Sequence, residues 1–234
     1  MRPVLLEVAR RAPGFMPEAE GLALFRAARR AARLGPLLEI GGYCGKSAIF
    51  LGAAAEDAGT VLFSVDHHRG SEEHQPGQEY HDPGLQDEAG RVETLHAFRR
   101  TVAEAGLEDA VIAVVGRSTT VARHWRTPLG LVFIDGGHSE AAAAADFEGW
   151  SPHLADGGLL AIHDVFPDSS QGGQAPYHVY QRALGSGSFA EESAVGSLRV
   201  LRRSARRFQR LLTAEQDRGT AGAGEGVGRQ QDGA

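Results

Sequence analysis

Two short apolar runs, Leu131 to Ile134 and Gly158 to Ile162, each end in a polar cluster: Asp135-Gly-Gly-His138 after the first and His163-Asp164 after the second. Buried runs of this kind read as parallel strands, and polar clusters at their ends fall on one edge of a sheet, where open α/β folds bind ligands. Carboxylates gathered at such an edge repel one another unless a cation sits between them. A divalent ion held by Asp135, His163 and Asp164 could bind a hydroxyl and lower its pKa. Magnesium prefers oxygen ligands, whereas an imidazole in the set suits manganese or another transition ion. The competing reading is structural: Asp135 holds a turn, and His163-Asp164 is a hydrogen-bonded pair.

A second chemical centre lies upstream. In LLEIGGYCGKSAIFL, residues 37 to 51, an apolar run ends in a glycine turn that opens into a helix. Glycines at 41, 42 and 45 allow close backbone approach to a ligand, and the amides of the following helix point into the space above. Glu39, just before the turn, would repel a pyrophosphate, so the preferred ligand carries positive charge. Two phosphate-binding patterns fit poorly. G-x-G-x-x-G is absent, and Lys46-Ser47 lacks the glycine four residues ahead of G-K that a P-loop needs.

The run Glu39-x-Gly41-x-Tyr43-Cys44-Gly45-x-Ser47 resembles the first motif of class I S-adenosylmethionine-dependent methyltransferases, in particular the catechol O-methyltransferase type. The resemblance covers about residues 36 to 203. It implies a Rossmann-like, doubly wound α/β fold whose seven-stranded sheet is mostly parallel with an antiparallel last strand, and S-adenosylmethionine (SAM) as cofactor. It also implies cofactor contacts from Glu39, Gly41, Gly42, Tyr43 and Ser47 in the turn, from Asp66 and His67 after the second strand, from Arg117 and Ser118 beside the adenine, and from Asp135. Metal-dependent members place an Asp after the fourth strand and Asp-Asn after the fifth. Asp135 matches the first; His163 and Asp164 stand at the other two, with Mg2+ or Mn2+ as the implied ion. Those enzymes carry a lysine base three residues beyond the first metal ligand. Here that offset holds His138, whose ordinary pKa of about 6.5 suits a general base, although a histidine at a helix start can also merely bond the turn.

The elements that must position these residues follow from periodicity. A helix over 17 to 34 ends at Gly35-Pro36. The glycine turn leads into a helix from Ser47 towards Gly59, and a strand from Val61 to Val65 ends at Asp66. An acidic residue there commonly binds ribose hydroxyls, the alternative being a cap on the next turn. From His67 to Asp87 periodicity vanishes in a segment with four histidines, two prolines and three glycines, read as a substrate-side lid or a solvated insertion. A helix is expected from Glu88 to Ala105, a strand from Val111 to Val115, and a helix from Ser118 through Trp125, with Ser118 either on the cofactor or a cap. An alanine-rich helix follows Asp135, another spans Tyr177 to Leu184, and Ser188–Glu192 with Leu198–Leu201 form an antiparallel pair. The expected organisation is a cap helix over 1–35, a methyltransferase domain over 36–203, and a basic turn with a disordered tail over 204–234.

Bulk properties narrow the partners. A net charge of -6 over 234 residues argues against a nucleic-acid footprint. The single cysteine, Cys44, excludes an internal disulfide and reads as packing. No window reaches a membrane span, and the first residues lack the apolar core of a signal peptide, so a cytoplasmic protein is expected. The long histidine-rich loop resembles bacterial relatives that methylate hydroxyls of sugars, including macrolide sugars and methylated mannose polysaccharides. The expected acceptor is thus a small molecule with a free hydroxyl, a sugar by preference over a catechol, with a homodimer left open. The rivals are a nicotinamide-dependent oxidoreductase, which needs the missing glycine pattern, and a module that binds cofactor without turnover.

Overall fold

A computed structural model describes residues 1–205. The basic turn and tail expected over 204–234 lie outside these residues, apart from Ser204 and Ala205. Seven strands form one sheet in the order β3-β2-β1-β4-β5-β7-β6: β1 Leu37–Ile40, β2 Leu62–Asp66, β3 Val111–Val115, β4 Leu129–Ile134, β5 Leu154–Ile162, β6 Phe189–Val195 and β7 Leu198–Arg203. Neighbours pair in parallel from β3 through β5, and β7 runs antiparallel to both β5 and β6. The topology turns back at β1, whose neighbours are β2 and β4, and such a switch point opens a crevice at the strand ends.

Each face of the sheet carries its own apolar layer. On one face, α1 (Pro3–Arg11), α2 (Glu18–Ala31), α3 (Lys46–Ala58) and α4 (Leu95–Glu104) bury Leu5, Leu24, Phe50 and Phe98 against Leu37, Leu131 and Phe133. On the other, α5 (Ser118–His124), α6 (Glu140–Trp150) and α7 (Ala175–Gly185) bury Ala122, Phe147, Trp150 and Val179 against Leu38, Val132 and Leu160. Each such large side chain, once fully buried, stabilises the fold by roughly 1.5–3 kcal/mol. The first 35 residues share this core, since α2 packs on α3 where a Cβ on Gly21 would stand 2.4 Å from the Phe50 ring.

Two elements differ from the expected pattern. Residues 3–11 form a helix, α1, led by Pro3 in its first turn. Helix α4 starts at Leu95, seven residues later than the periodicity from Glu88 suggests. Gly90 adopts φ +72°, Gln86 and Val92 make an antiparallel bridge, and the Glu93 carboxylate accepts from the amides of Leu95 and His96. The chain is thus turned back at Gly90 and capped at Glu93. The 67–87 stretch stays irregular apart from short 3-10 turns at Glu72–His74 and Pro83–Leu85. No helix among the described residues is long and apolar enough to cross a membrane.

Candidate active site

The strand ends enclose a cavity of about 460 Å³ bounded by the glycine turn, Asp66 and His67, the 70–74 stretch, Gly116–Thr119, Asp135–Ser139, His163 and Asp164. The turn itself is held by backbone geometry. Gly41 sits at φ +92°, and a Cβ there would stand 2.1 Å from the Asp135 carbonyl oxygen, so only glycine lets β1 and β4 end this close together. Tyr43 is forced to φ 43°, and its amide donates to Asp66 Oδ2 at 2.9 Å while the His68 amide donates to Oδ1 at 2.7 Å. Asp66 therefore ties the glycine turn to the end of β2 and also faces the cavity.

Glu39 lies elsewhere than its motif position suggests. It is fully buried and is not part of the cavity wall, because β1 is a central strand covered on both faces. Burial pushes its carboxyl up to about 7, and it reaches the cavity through Ser47, whose hydroxyl donates to Oε2 at 2.8 Å. Its other oxygen, Oε1, has no partner. Cys44 is also fully buried, and burial pushes its thiol up to about 12, leaving it inert as a nucleophile.

Arg117 is the residue that caps α5, and Ser118 is the first helical residue. The Ser118 hydroxyl accepts from Trp150 Nε1 at 2.7 Å, so it is fixed by the α6 side of the fold instead of capping its own helix. Beside it stands Asp146, a buried carboxyl facing the cavity; burial pushes it up to about 6, against the pull of the Ser118 hydroxyl. His67 reaches the cavity and accepts the Arg69 amide at Nδ1. His74 lies with its ring 4.8 Å from that of Tyr43.

At the opposite wall, one oxygen or nitrogen from each of Asp135, His138 and Asp164 falls within 4.8 Å of the others, a grouping that could share an ion. His138 thus occupies the third place that the motif comparison gives to His163. The reason is that His163 is already saturated: Nε2 lies 2.7 Å from Glu20 Oε2, and Nδ1 lies 3.1 Å from Asp135 and 3.3 Å from Asp164. Burial opposes charge on this ring, but the carboxylates of Asp135, Asp164 and Glu20 outweigh it and push His163 up to about 12. It is a fixed imidazolium beneath the site. Asp164 responds in the opposite sense: burial would raise it, yet His138 and His163 hold it well below the usual carboxylate range. His138 bridges Asp164 at 3.3 Å and Glu73 at 3.2 Å. The Asp164 contact, opposed by burial and joined by Glu73, pushes it up to about 9, so the ring holds a proton at neutral pH in the ligand-free site. It can ligate an ion or accept a proton only after giving that proton up.

Glu20, Glu73 and Asp146 are site residues that motif reading passes over. Glu20 had a signal: it shares a helical stripe with Leu24 and Ala28, both buried, and a carboxylate on an apolar stripe requires a buried partner. Glu73 had none, since nothing in the 67–87 stretch fixes which acid turns inward.

The strand order, with β7 reversed against the other six strands, and a glycine turn opening at β1 define a Rossmann-like methyltransferase fold. The profile of a methyltransferase-domain family matches residues 38–165, and the chain belongs to that family. Solved structures share the architecture at low identity. Cofactor-bound Rv0187 from MTB is 18% identical with a TM-score of 0.61, the match covering 86% of this chain and 88% of that one. The SAH-bound methyltransferase PaMTH1 of Podospora anserina is 15% identical with a TM-score of 0.63, covering 87% and 89%. The O-methyltransferase TomG from Streptomyces achromogenes, involved in tomaymycin synthesis and solved in complex with SAM, is 16% identical with a TM-score of 0.59, covering 88% and 91%.

Proposed function

We propose that the protein transfers the methyl group of SAM to a hydroxyl of a small acceptor. The observation that carries this is the meeting of two unlike walls across one cavity: a backbone-lined cradle at Gly41–Tyr43 and Asp66, and a charged cluster at Asp135, His138 and Asp164. The SAM and SAH complexes named among the similar structures support the choice of cofactor. In this reading Asp66 takes the ribose hydroxyls, Ser118 and Asp146 border the adenine, and Ser47, braced on Glu39, meets the amino-acid end.

The donor set of two carboxylates and one imidazole fits a divalent cation, Mn2+ better than Mg2+ because of the nitrogen ligand. Bound there, such an ion would lower the pKa of the acceptor hydroxyl. Asp135 and Asp164 would hold it with His138 as the third ligand. Without an ion, His138 is the residue placed to take the acceptor proton once its own has left. His163 keeps the carboxylates from repelling one another in either case.

For the acceptor we favour a sugar. Ser71, Glu72 and Glu73 line the cavity and supply the hydrogen-bonding groups that a polyol needs. A phenolic acceptor is the second reading, carried by the rings of Phe15 and Tyr80, 5.0 Å apart, with Tyr43 6.1 Å from Phe15. Calorimetry with S-adenosylhomocysteine (SAH) and NAD, followed by methyl transfer onto matched panels of sugars and catechols with and without chelator, tests both. Tight NAD binding with no heat from SAH would overturn the assignment.

A further inference from the structure

Beside the main cavity runs a groove that shares only three of its residues, Phe15, His163 and Asp164. Phe15 stands between the two spaces, and 61% of it is exposed. The groove is lined by the apolar groups Pro17, Val165, Phe166 and Pro167 and by the polar groups Glu20, Gln171, Ser197 and Arg199; Glu20 is committed to His163 and Ser197.

Arg199 differs from the arginines around it. Arg202, three residues on in the same strand, pairs with Glu192, as does Arg30 from α2, and Arg182 of α7 pairs with Glu148. Arg199 has no carboxylate within ion-pair distance among the described residues. Its Nη1 donates to the carbonyl oxygens of Gly196 at 2.7 Å and Leu198 at 3.1 Å, contacts that orient the guanidinium without neutralising it. Its place is set by the sheet, because Arg199 pairs with Ile162, the residue immediately before His163-Asp164. The other cation of the groove, His163, already has three carboxylates around it.

A half-buried guanidinium oriented by backbone carbonyls and left without a carboxylate partner, in a groove that reaches Asp164, is a receptor for an oxyanion. We propose that this groove is the acceptor subsite and that the acceptor is an acid: its carboxylate pairs with Arg199, its body lies along Phe15, Val165 and Phe166, and its hydroxyl reaches Asp164. The proposal rests on the methyltransferase reading only in calling the occupant an acceptor. It turns the sugar or phenol of that reading into a uronic acid or a hydroxyaryl acid, two skeletons bearing the same group.

The test is binding of small acids to the full chain, measured by calorimetry or saturation-transfer NMR with and without SAH. The pairs are benzoate against benzamide and glucuronate against glucose. At least one acid should bind more tightly than its neutral partner, and that preference should fall roughly tenfold or more in Arg199→Gln, with partial retention in Arg199→Lys. Unchanged SAH affinity and melting temperature in both variants show that the fold is kept. Acids that bind no better than their neutral partners, or that bind Arg199→Gln as tightly as wild type, overturn the proposal. Absence of SAH binding in wild type counts instead against the methyltransferase reading, and the SAH-free titration still decides on the groove.

Discussion

The two walls of the cavity are built on opposite principles. The cradle at Gly41–Tyr43 is made of backbone: amides from Tyr43 and His68 grip Asp66, and the only cost of the arrangement is the positive φ at residues 41, 43 and 45. The wall at Asp135, His138, His163 and Asp164 is made of side-chain charge, joined by Glu20 from α2 and Glu73 from the irregular stretch. The same contrast shows in how carboxyls respond. Asp146, beside Ser118 and without a cationic neighbour, is pushed up to about 6 by burial. Asp164 is half-buried, but between two imidazoles, and is held well below its ordinary value. A cradle of amides fixes where a cofactor lies, whereas a lattice of compensated charges governs which proton can move.

If this division is right, changes on each side should separate binding from turnover. The largest effect belongs to His138→Gln, which should lower turnover by about a hundredfold to ten-thousandfold with near-normal SAH affinity and melting temperature. A loss of SAH affinity with turnover retained would break the division. Next comes Glu20→Gln. It removes a carboxylate 2.7 Å from a buried imidazolium and should cost about 3 kcal/mol, a fall in melting temperature of roughly 6–12 °C. The wild-type contribution of His163, whose folded pKa lies above its unfolded one, is complete below about pH 6.5 and declines as pH rises towards 12. The variant should therefore differ least from wild type in alkaline melts.

Asp66→Ala sharpens the other side: SAH affinity should drop roughly tenfold or more, while turnover at saturating SAM stays close to wild type. Equal losses in affinity and saturated turnover would mean that the two walls are not independent. The smallest effect is expected from Asp146→Asn. The folded carboxyl titrates near 6 and the unfolded one near 3.9, so wild type gains stability as pH falls from about 6 to about 4. The asparagine removes that slope and should be more stable at neutral pH by on the order of 1 kcal/mol. Urea melts at pH 4.5 and 7.5 measure it.

How much could be read from the chain alone follows the same line. The cradle is local, so the spacing of Gly41, Gly42 and Gly45 with Asp66 at the end of the next strand was enough to find it. The seven-stranded, mostly parallel sheet closed by an antiparallel pair came with the motif, whereas the strand order β3-β2-β1-β4-β5-β7-β6 is visible only in the structure. Asp135, His138 and Asp164 were legible because each lies within four residues of the end of a buried strand. The role of His163 was not, because its controlling partner, Glu20, is 143 residues away, and a carboxylate on an apolar helical stripe signals a buried partner without saying which one. The surroundings of Glu39 were not legible for a simpler reason: on a central strand covered on both faces its carboxylate is fully buried and reaches the cavity only through Ser47. The start of α4 was missed because the apolar spacing ran straight through a glycine turn.

The bond between Glu20 and His163 also bears on how the protein is made. Glu20 takes its other contacts from Ser197, whose amide lies 2.9 Å from Oε1, so this carboxylate joins α2 to the turn of the β6–β7 hairpin. Such a contact closes a long loop and forms late, because the entropy of closure precedes the reward. During vectorial synthesis the cradle can assemble as soon as β1, α3 and β2 are out. Asp135, His138, His163 and Asp164 follow with β4 and β5, and the Ser197 brace on Glu20 arrives only with β6 and β7. A chain halted before that hairpin would hold Glu20 against His163 without the Ser197 amide and hydroxyl that fix the carboxylate from its other side.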